Sequence, residues 1–310
     1  MLNLWLYFQF RGRFQFVGFD RVYEVRLDAM DLTQNTFAGY AWMWLSGAIN
    51  PCLISYGLYF RRRSMILAGC AGQIFIYGMI AMKGVLLSIF VIPLCYVALS
   101  RRNAQFGKHL VWGTAALFVF LNLLNAELGV DYEGPALWPS VLVLMRTFGV
   151  PGLSTAAYHD FFTDHPHTYW SHVKGVNLLI QYPYQRPIHM EVGTFMSGEE
   201  NLSANAHFWC QDGITALGLP GIIVASLLFV LIFWVFDSLA ATHDIKLTGA
   251  LTSVAAMNFS NASLFTSSFS GGLFLLMLLL YWMPRPRSLQ AQKSPVSPYP
   301  ARIAHDALNC

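Results

Sequence analysis

The sequence predicts an all-α fold, a polytopic transmembrane helical bundle with one large extracytoplasmic loop. Three observations predict it. Of the 310 residues, 55% are hydrophobic and only 11% are charged, where an ordinary soluble domain is about a quarter charged. The apolar residues gather in repeated runs of about twenty, the length at which a helix crosses the hydrocarbon core of a bilayer. Most of the histidines and many of the charges collect in one stretch, residues 146–213. The mean hydropathy is +0.47. A membrane-spanning barrel would need short segments of alternating polarity, and the sequence has none. A net charge of +3 is too small to indicate a nucleic-acid partner.

Residues 1–37 mix arginines and acids with aromatic residues and lack the clean apolar core of a cleavable signal peptide. They read as an interfacial segment. Because the chain opens on loop-like sequence, further helices are expected before Met1 in the natural protein or its relatives. Residues 38–60 form the first apolar span, ending at Arg61-Arg62-Arg63. That triplet is the strongest cytoplasmic marker in the chain, since basic residues stay on the cytoplasmic side. Residues 64–82 cross outward, and residues 84–100 return to Arg101-Arg102. Lys83 therefore falls at an extracytoplasmic turn. It is either a lysine reaching into the headgroups or a cation facing a phosphate.

Residues 109–127 cross outward again, and Glu127, Asp131 and Glu133 lie outside. In the second half, residues 214–236 span, Asp237 to Lys246 turn, and two more apolar runs follow at 247–265 and 270–283. Arg285 and Arg287 on the cytoplasmic side fix the direction of the last run. Counting back, the stretch before 214 must be outside. Residues 136–150, interrupted by Pro139, therefore cannot fully cross and are expected to form a re-entrant or interfacial helix. The resulting division is an N-terminal interfacial segment, 1–37, a membrane domain, 38–283, carrying the extracytoplasmic loop 146–213, and a cytoplasmic tail, 284–310. The five cysteines, Cys52, Cys70, Cys95, Cys210 and Cys310, form no CxxC or Cys/His spacing that would suggest zinc or a disulfide framework.

The chemistry collects in the loop. Arg146 sits near the end of an apolar run, where a guanidinium must be paired or face a polar cavity. It offers either a fork for phosphate oxygens or a structural salt bridge. Asp164-His165-Pro166 is a turn signal, and His165 and His167 flank the proline so that both could face one ligand. A His-x-His pair could also be half of a metal site, but no accompanying ligand spacing completes one. Asp212 lies at a polar-to-apolar transition, where a carboxylate caps a helix N-terminus.

Several ordered pieces resemble the bacterial oligosaccharide repeat-unit polymerases, the O-antigen polymerases. Arg146 leads through Val150-Pro151-Gly152 to Tyr158-His159-Asp160-Phe161-Phe162. His165-Pro166, Thr168-Tyr169 and Ser171 come next, then Tyr182-Pro183-Tyr184. Ser203-Ala204-Asn205 leads to Asp212-Gly213 and Leu217-Gly218, and Ser263-Leu264-Phe265-Thr266-Ser267 closes the series. Lys83 with Ser88 matches more weakly. The pieces span residues from about 70 to 283. The chain departs from the pattern at His165, where relatives often carry asparagine or proline.

The resemblance implies a glycosyltransferase C-like membrane enzyme at the outer face of the bacterial inner membrane. The donor would be a glycan on undecaprenyl diphosphate and the acceptor a second lipid-linked repeat unit, with a chain-length regulator protein as a further partner. It also implies catalytic roles for Arg146, Asp160, His165 and Asp212. Asp160 or His165 would take the acceptor's proton. Arg146, Arg186 and Lys83 would face the leaving diphosphate, with His165 or His167 adding hydrogen bonds. Tyr158, Tyr169 and Asn205 would complete the substrate contacts. No cofactor and no essential metal are expected. The alternatives are a flippase or transporter for a lipid-linked glycan, which shares the hydropathy profile, and an O-antigen ligase. Charges buried in mid-membrane on several helices would favour the transporter. Here the charges concentrate in one loop.

Overall fold

The computed structural model describes residues 2–10, 14–16, 25, 29, 36–100, 105–128, 149–199 and 202–284. All regular structure among the described residues is helical, and none is strand. Arg146, the expected re-entrant helix up to residue 148, most of the 1–37 segment and the tail from residue 285 lie outside the described residues.

Three described helices are long and apolar enough to cross a membrane: Arg63–Ile80, Leu219–Ala240 and Leu264–Trp282. The first apolar run is one continuous helix over 37–59, with a π-helical segment at Leu45–Ile49. Thr36 caps it, its side chain accepting from the Gly39 amide. The following helix, Arg63–Ile80, ends where Ala81 adopts a left-handed conformation at φ 55°. That reversal starts Lys83–Leu99 directly, with Lys83 exposed as its first residue. Residues Phe106–Leu128 form a further helix.

Polar side chains between these helices satisfy one another. The Gln73 amide donates to the Ser46 carbonyl at 2.9 Å and the Ser88 hydroxyl at 2.8 Å, and the Asn50 amide donates to Gln73 at 3.5 Å. All four residues are buried. Unpartnered amides there would cost several kcal/mol in an apolar surrounding.

The second half differs from the sequence expectation in its breaks. The run expected at 214–236 begins as a separate helical piece at Trp209–Leu217 and restarts as Leu219–Ala240. Gly218 makes the break with φ 69°, ψ −149°, a conformation open to glycine. Pro220 follows in the first turn, where its missing N–H costs nothing. Helix Ile245–Phe259 has 15 residues, about 22 Å of helix, which is shorter than a hydrocarbon core of about 30 Å. The run expected at 247–265 ends at Phe259, Leu264–Ser268 forms a separate short helix, and the run expected at 270–283 begins at Leu273, after Gly272 at φ 91°. Phe236, Leu247, Leu251, Phe259, Leu264, Leu273 and Leu276 bury the faces where these helices meet.

The expected loop is itself mostly helical. Val150–Asp164, Ile188–Ser197 and Trp209–Leu217 pack around their own apolar cluster of Tyr158, Phe161, Phe162, Ile188, Val192, Cys210 and Ile214. The polar segment therefore has a small core of its own, joined to the long helices through Leu219–Ala240.

Candidate functional site

Helix Val150–Asp164 opens with Pro151 in its first turn and ends before Pro166. A proline drives the residue before it out of the helical region, and His165 is extended at φ −121°, ψ 150°. One face of the helix is buried. Tyr158 has no exposed surface, and its hydroxyl donates to the Ala204 carbonyl at 3.0 Å. Its side chain therefore stands in the core of the segment rather than at its surface. Burial is the main cause of its raised phenol pKa, and the charges of nearby groups add to it. The opposite face carries His159 and Asp160, 3.6 Å apart and mostly exposed.

His165 lies flat on Phe161, with ring centroids 4.1 Å apart and planes within 6°. Its Nδ1 is 2.8 Å from the Phe161 carbonyl oxygen. A carbonyl can only accept, so Nδ1 carries the proton and Nε2 is the basic nitrogen of the neutral ring. His167 stacks on Phe162 at 5.3 Å, and its buried Nδ1 has no hydrogen-bond partner among the described residues. The two histidines that flank Pro166 thus rest on two adjacent phenylalanines, themselves edge to face at 5.1 Å.

The surrounding patch is aromatic. The Tyr184 hydroxyl donates to the Pro166 carbonyl at 2.6 Å, and exposed Phe195 meets Phe161 edge-on at 5.5 Å. Burial, with help from the Glu191 charge, pushes the Tyr184 phenol up to about 12. Arg186 joins this patch, already paired with Glu191 at 3.3 Å and donating to Thr194 at 3.4 Å. The Tyr182 hydroxyl donates to the Arg186 carbonyl.

Beyond this patch the chain turns inward. Tyr169 and Trp170 both have positive φ, 49° and 61°. Left-handed backbone costs a non-glycine residue about 1–2 kcal/mol, and such strain persists only where surrounding contacts enforce it. Those contacts are present. The Thr168 amide donates to the Thr215 carbonyl at 2.9 Å, and the Tyr169 amide to the Ala216 carbonyl at 3.3 Å. The turn leaves Tyr169 exposed and brings His172 onto Asp212.

Asp212 is fully buried in the π-helical stretch Trp209–Ile214. Ser263 donates its hydroxyl to Oδ1 at 2.7 Å, the Leu264 amide donates to Oδ2, and His172 Nε2 lies 3.4 Å from Oδ1. The other ring nitrogen of His172 is 3.0 Å from the Thr168 hydroxyl. A carboxylate without partners at this depth would be too costly to bury. Here it is held from three sides. Asp212 does sit at a helix N-terminus, but the helix is Leu264–Ser268, not the one its own sequence leads into.

Three of these residues, Thr168, His172 and Ser263, were not singled out as site residues from sequence. Ser263 had a signal, a serine opening a helical run, and its hydroxyl accepts from Thr266 as a cap. His172 had none beyond its place in the histidine-rich stretch. Asn205 is exposed between Ala204 and Ala206, and Lys83 stands at the start of its helix, outside this segment. The structure thus gathers His165, His167 and Arg186 into one patch with Asp160 on the same helix as Phe161, and seats Asp212 in a separate buried cluster. Among the described residues no group of three or more His, Cys, Asp and Glu side chains could hold a metal ion. Comparison with family models, curated proteins and solved structures finds no match.

Proposed function

We propose that this chain is a multi-pass enzyme of the bacterial inner membrane that polymerises lipid-linked oligosaccharide repeat units at the outer face. The glycan would pass from undecaprenyl diphosphate to the hydroxyl of a second lipid-linked unit. The order of the sequence pieces supports this reading, and one observation carries it furthest. His165 is fixed in a single tautomer, its Nδ1–H on the Phe161 carbonyl and its ring on the Phe161 face. That leaves Nε2 as a proton acceptor at the surface of a segment rich in exposed aromatic side chains, suited to stacking on sugar rings.

In the proposed step His165 Nε2 takes the acceptor hydroxyl's proton. The acceptor oxygen bonds to the donor sugar's anomeric carbon. The bond from that carbon to the diphosphate oxygen breaks, and the carrier diphosphate leaves. Departure of a dianionic group calls for cations. Arg146, Arg186 and Lys83 take that role in this reading, Arg186 while also paired with Glu191. Asp160 is the competing base, and a chain-length regulator is the expected protein partner. Asp212 and His172 act by position: their contact anchors the strained turn that sets His165 and His167 in place.

The test is complementation of a bacterium lacking its own polymerase, with the matching glycan locus, read as the ladder of polymer lengths. The wild-type chain restores the ladder. His165→Ala, present in the membrane at normal level, collapses it to a single repeat unit, while Asp160→Asn leaves it. A full ladder from His165→Ala with loss in Asp160→Asn would move the base to Asp160. No ladder from any version with its matching locus would sink the polymerase reading.

A further inference from the structure

The polar segment carries an apolar tip. Gly175, at φ 102°, turns the chain into a 3₁₀ turn over Val176–Leu178. After it, Leu178 and Leu179 are 86% and 88% exposed, and Ile180 is 40% exposed. Two adjacent leucines so nearly bare are a cost in water, and nothing among the described residues covers them. Yet the backbone beneath them is closed on itself. The amides of Val176 and Asn177 donate to the Val173 carbonyl, that of Leu178 to Gly175, and those of Leu179 and Ile180 to Val176. The Gly175 amide donates to the Asn177 side chain at 3.1 Å. Every amide from 175 to 180 is therefore satisfied within the tip. Satisfied amides lower the cost of carrying this backbone to the apolar side of a membrane interface.

The base of the tip has a defined height. Lys174 donates its ammonium to the Tyr40 hydroxyl at 2.9 Å and lies 5.3 Å from the centre of that ring. Tyr40 belongs to the 37–59 helix, in an aromatic collar with Phe37 and Trp44. The other end of that helix leads to Arg61-Arg62-Arg63. Tyrosine and tryptophan collars of this kind mark the level of the lipid headgroups. We infer that Leu178, Leu179 and Ile180 insert into the phospholipid leaflet on the side of the polar segment. The tip thereby pins that segment against the bilayer surface as a second attachment besides the long helices. This rests on the reading of the long helices as membrane spans, and not on the identity of the reaction.

The test is photocrosslinking of the full-length purified chain, reconstituted in phosphatidylcholine–phosphatidylglycerol vesicles. p-Benzoylphenylalanine replaces Leu178 or Leu179, one at a time. It also replaces Leu227, an exposed residue of helix Leu219–Ala240, as the lipid-facing reference, and Glu199 as the exposed polar reference. Mass spectrometry then reads what each probe captured. Expected are phospholipid adducts at Leu178 and Leu179 in yield comparable to Leu227, and none at Glu199. Adducts to this chain or to a second copy of it, or no adduct, with Leu227 still capturing lipid, would overturn the inserted tip while the membrane reading stands. Loss of lipid adducts at Leu227 as well would remove both.

Discussion

Asp212 is the residue at which the polar segment meets the C-terminal helices. Its carboxylate takes a hydroxyl from Ser263, 51 positions away, and the Leu264 amide, while His172 approaches from the strained turn. Two of the three, the Ser263 hydroxyl and the Leu264 amide, donate to it, so the site is matched to an acceptor group. Asp212→Asn keeps the shape but turns an amide N–H₂ toward donors. A buried mismatch of this kind costs about 1–3 kcal/mol. The expected outcome is a lower unfolding midpoint in detergent and a shortened polymer ladder, with His172→Gln milder on both counts because a glutamine amide can donate to Asp212. An unchanged midpoint in Asp212→Asn would show that the carboxylate does not hold the turn. That Asp212 meets these three groups was not legible in the sequence. A capping carboxylate is recognisable from its neighbours, but the helix it caps is set by tertiary packing.

His207 makes a pH prediction at the same scale. Its ring lies 3.2 Å from the Thr155 hydroxyl and 3.5 Å from the Cys210 sulfur. Burial lowers its pKa below the ordinary 6.5, against a smaller opposing hydrogen bond to the Pro151 carbonyl. The same burial raises the Cys210 thiol to about 11, so it stays protonated. At pH well above 6.5 the imidazole is neutral whether the chain is folded or not. As pH falls through 6.5, the unfolded chain takes the proton first, so stability drops until the pH passes the lowered folded value. Thermal unfolding in detergent at about pH 7.5 and about pH 5.5 brackets this range. The wild type should lose more stability on acidification than His207→Gln. Equal losses would remove His207 as a source of the dependence.

Among the elements, the junction of Trp209–Ile214 with Leu219–Ala240 controls where Asp212 sits. Gly221 lies directly against the Gly213 backbone, and a methyl group on Gly221 would overlap the Gly213 carbonyl oxygen. The obstacle is backbone, not a side chain that can swing away. Gly221→Ala must therefore push the long helix off the π-helical stretch. Overpacking of this order costs about 1–3 kcal/mol, and it should also pull Asp212 from Ser263. Expected are a lowered unfolding midpoint together with loss of the polymer ladder, whereas Gly152→Ala, with open space at its Cβ, should leave the midpoint nearly unchanged. The apolar runs themselves were legible, because length and hydropathy alone mark them. The interruption at Gly218 was not, since that break is a single residue whose backbone angle depends on what packs beside it. The helices inside the polar segment were hidden by the same density of polar and aromatic residues that drew attention to it.

The whole molecule has two ends, and its contacts assign residues to each without reference to charge. Lys174 reaches Tyr40, and Ser263 reaches Asp212, so the start of the 37–59 helix, the polar segment and the turn before Leu264–Ser268 belong to one end. Gly249 lies beside Leu99, and helix Ile245–Phe259 packs along Lys83–Leu99 and Asn50–Tyr59. The turn at 241–244 and the Arg61-Arg62-Arg63 triplet thus share the other end. The positive-inside bias reads the same division from sequence and names the second end cytoplasmic. Lys83 and Lys174, at the first end, run against that bias, so orientation needs a measurement. Alkaline phosphatase fused after residue 62 or after residue 243 should be inactive, and the same enzyme fused after residue 199 should be active. Green fluorescent protein at those positions should give the reverse pattern. An active phosphatase after residue 62 would invert the molecule. It would place the histidine-rich segment in the cytoplasm, where transfer from an outward-facing lipid carrier is impossible, and the proposed reaction would fall with it.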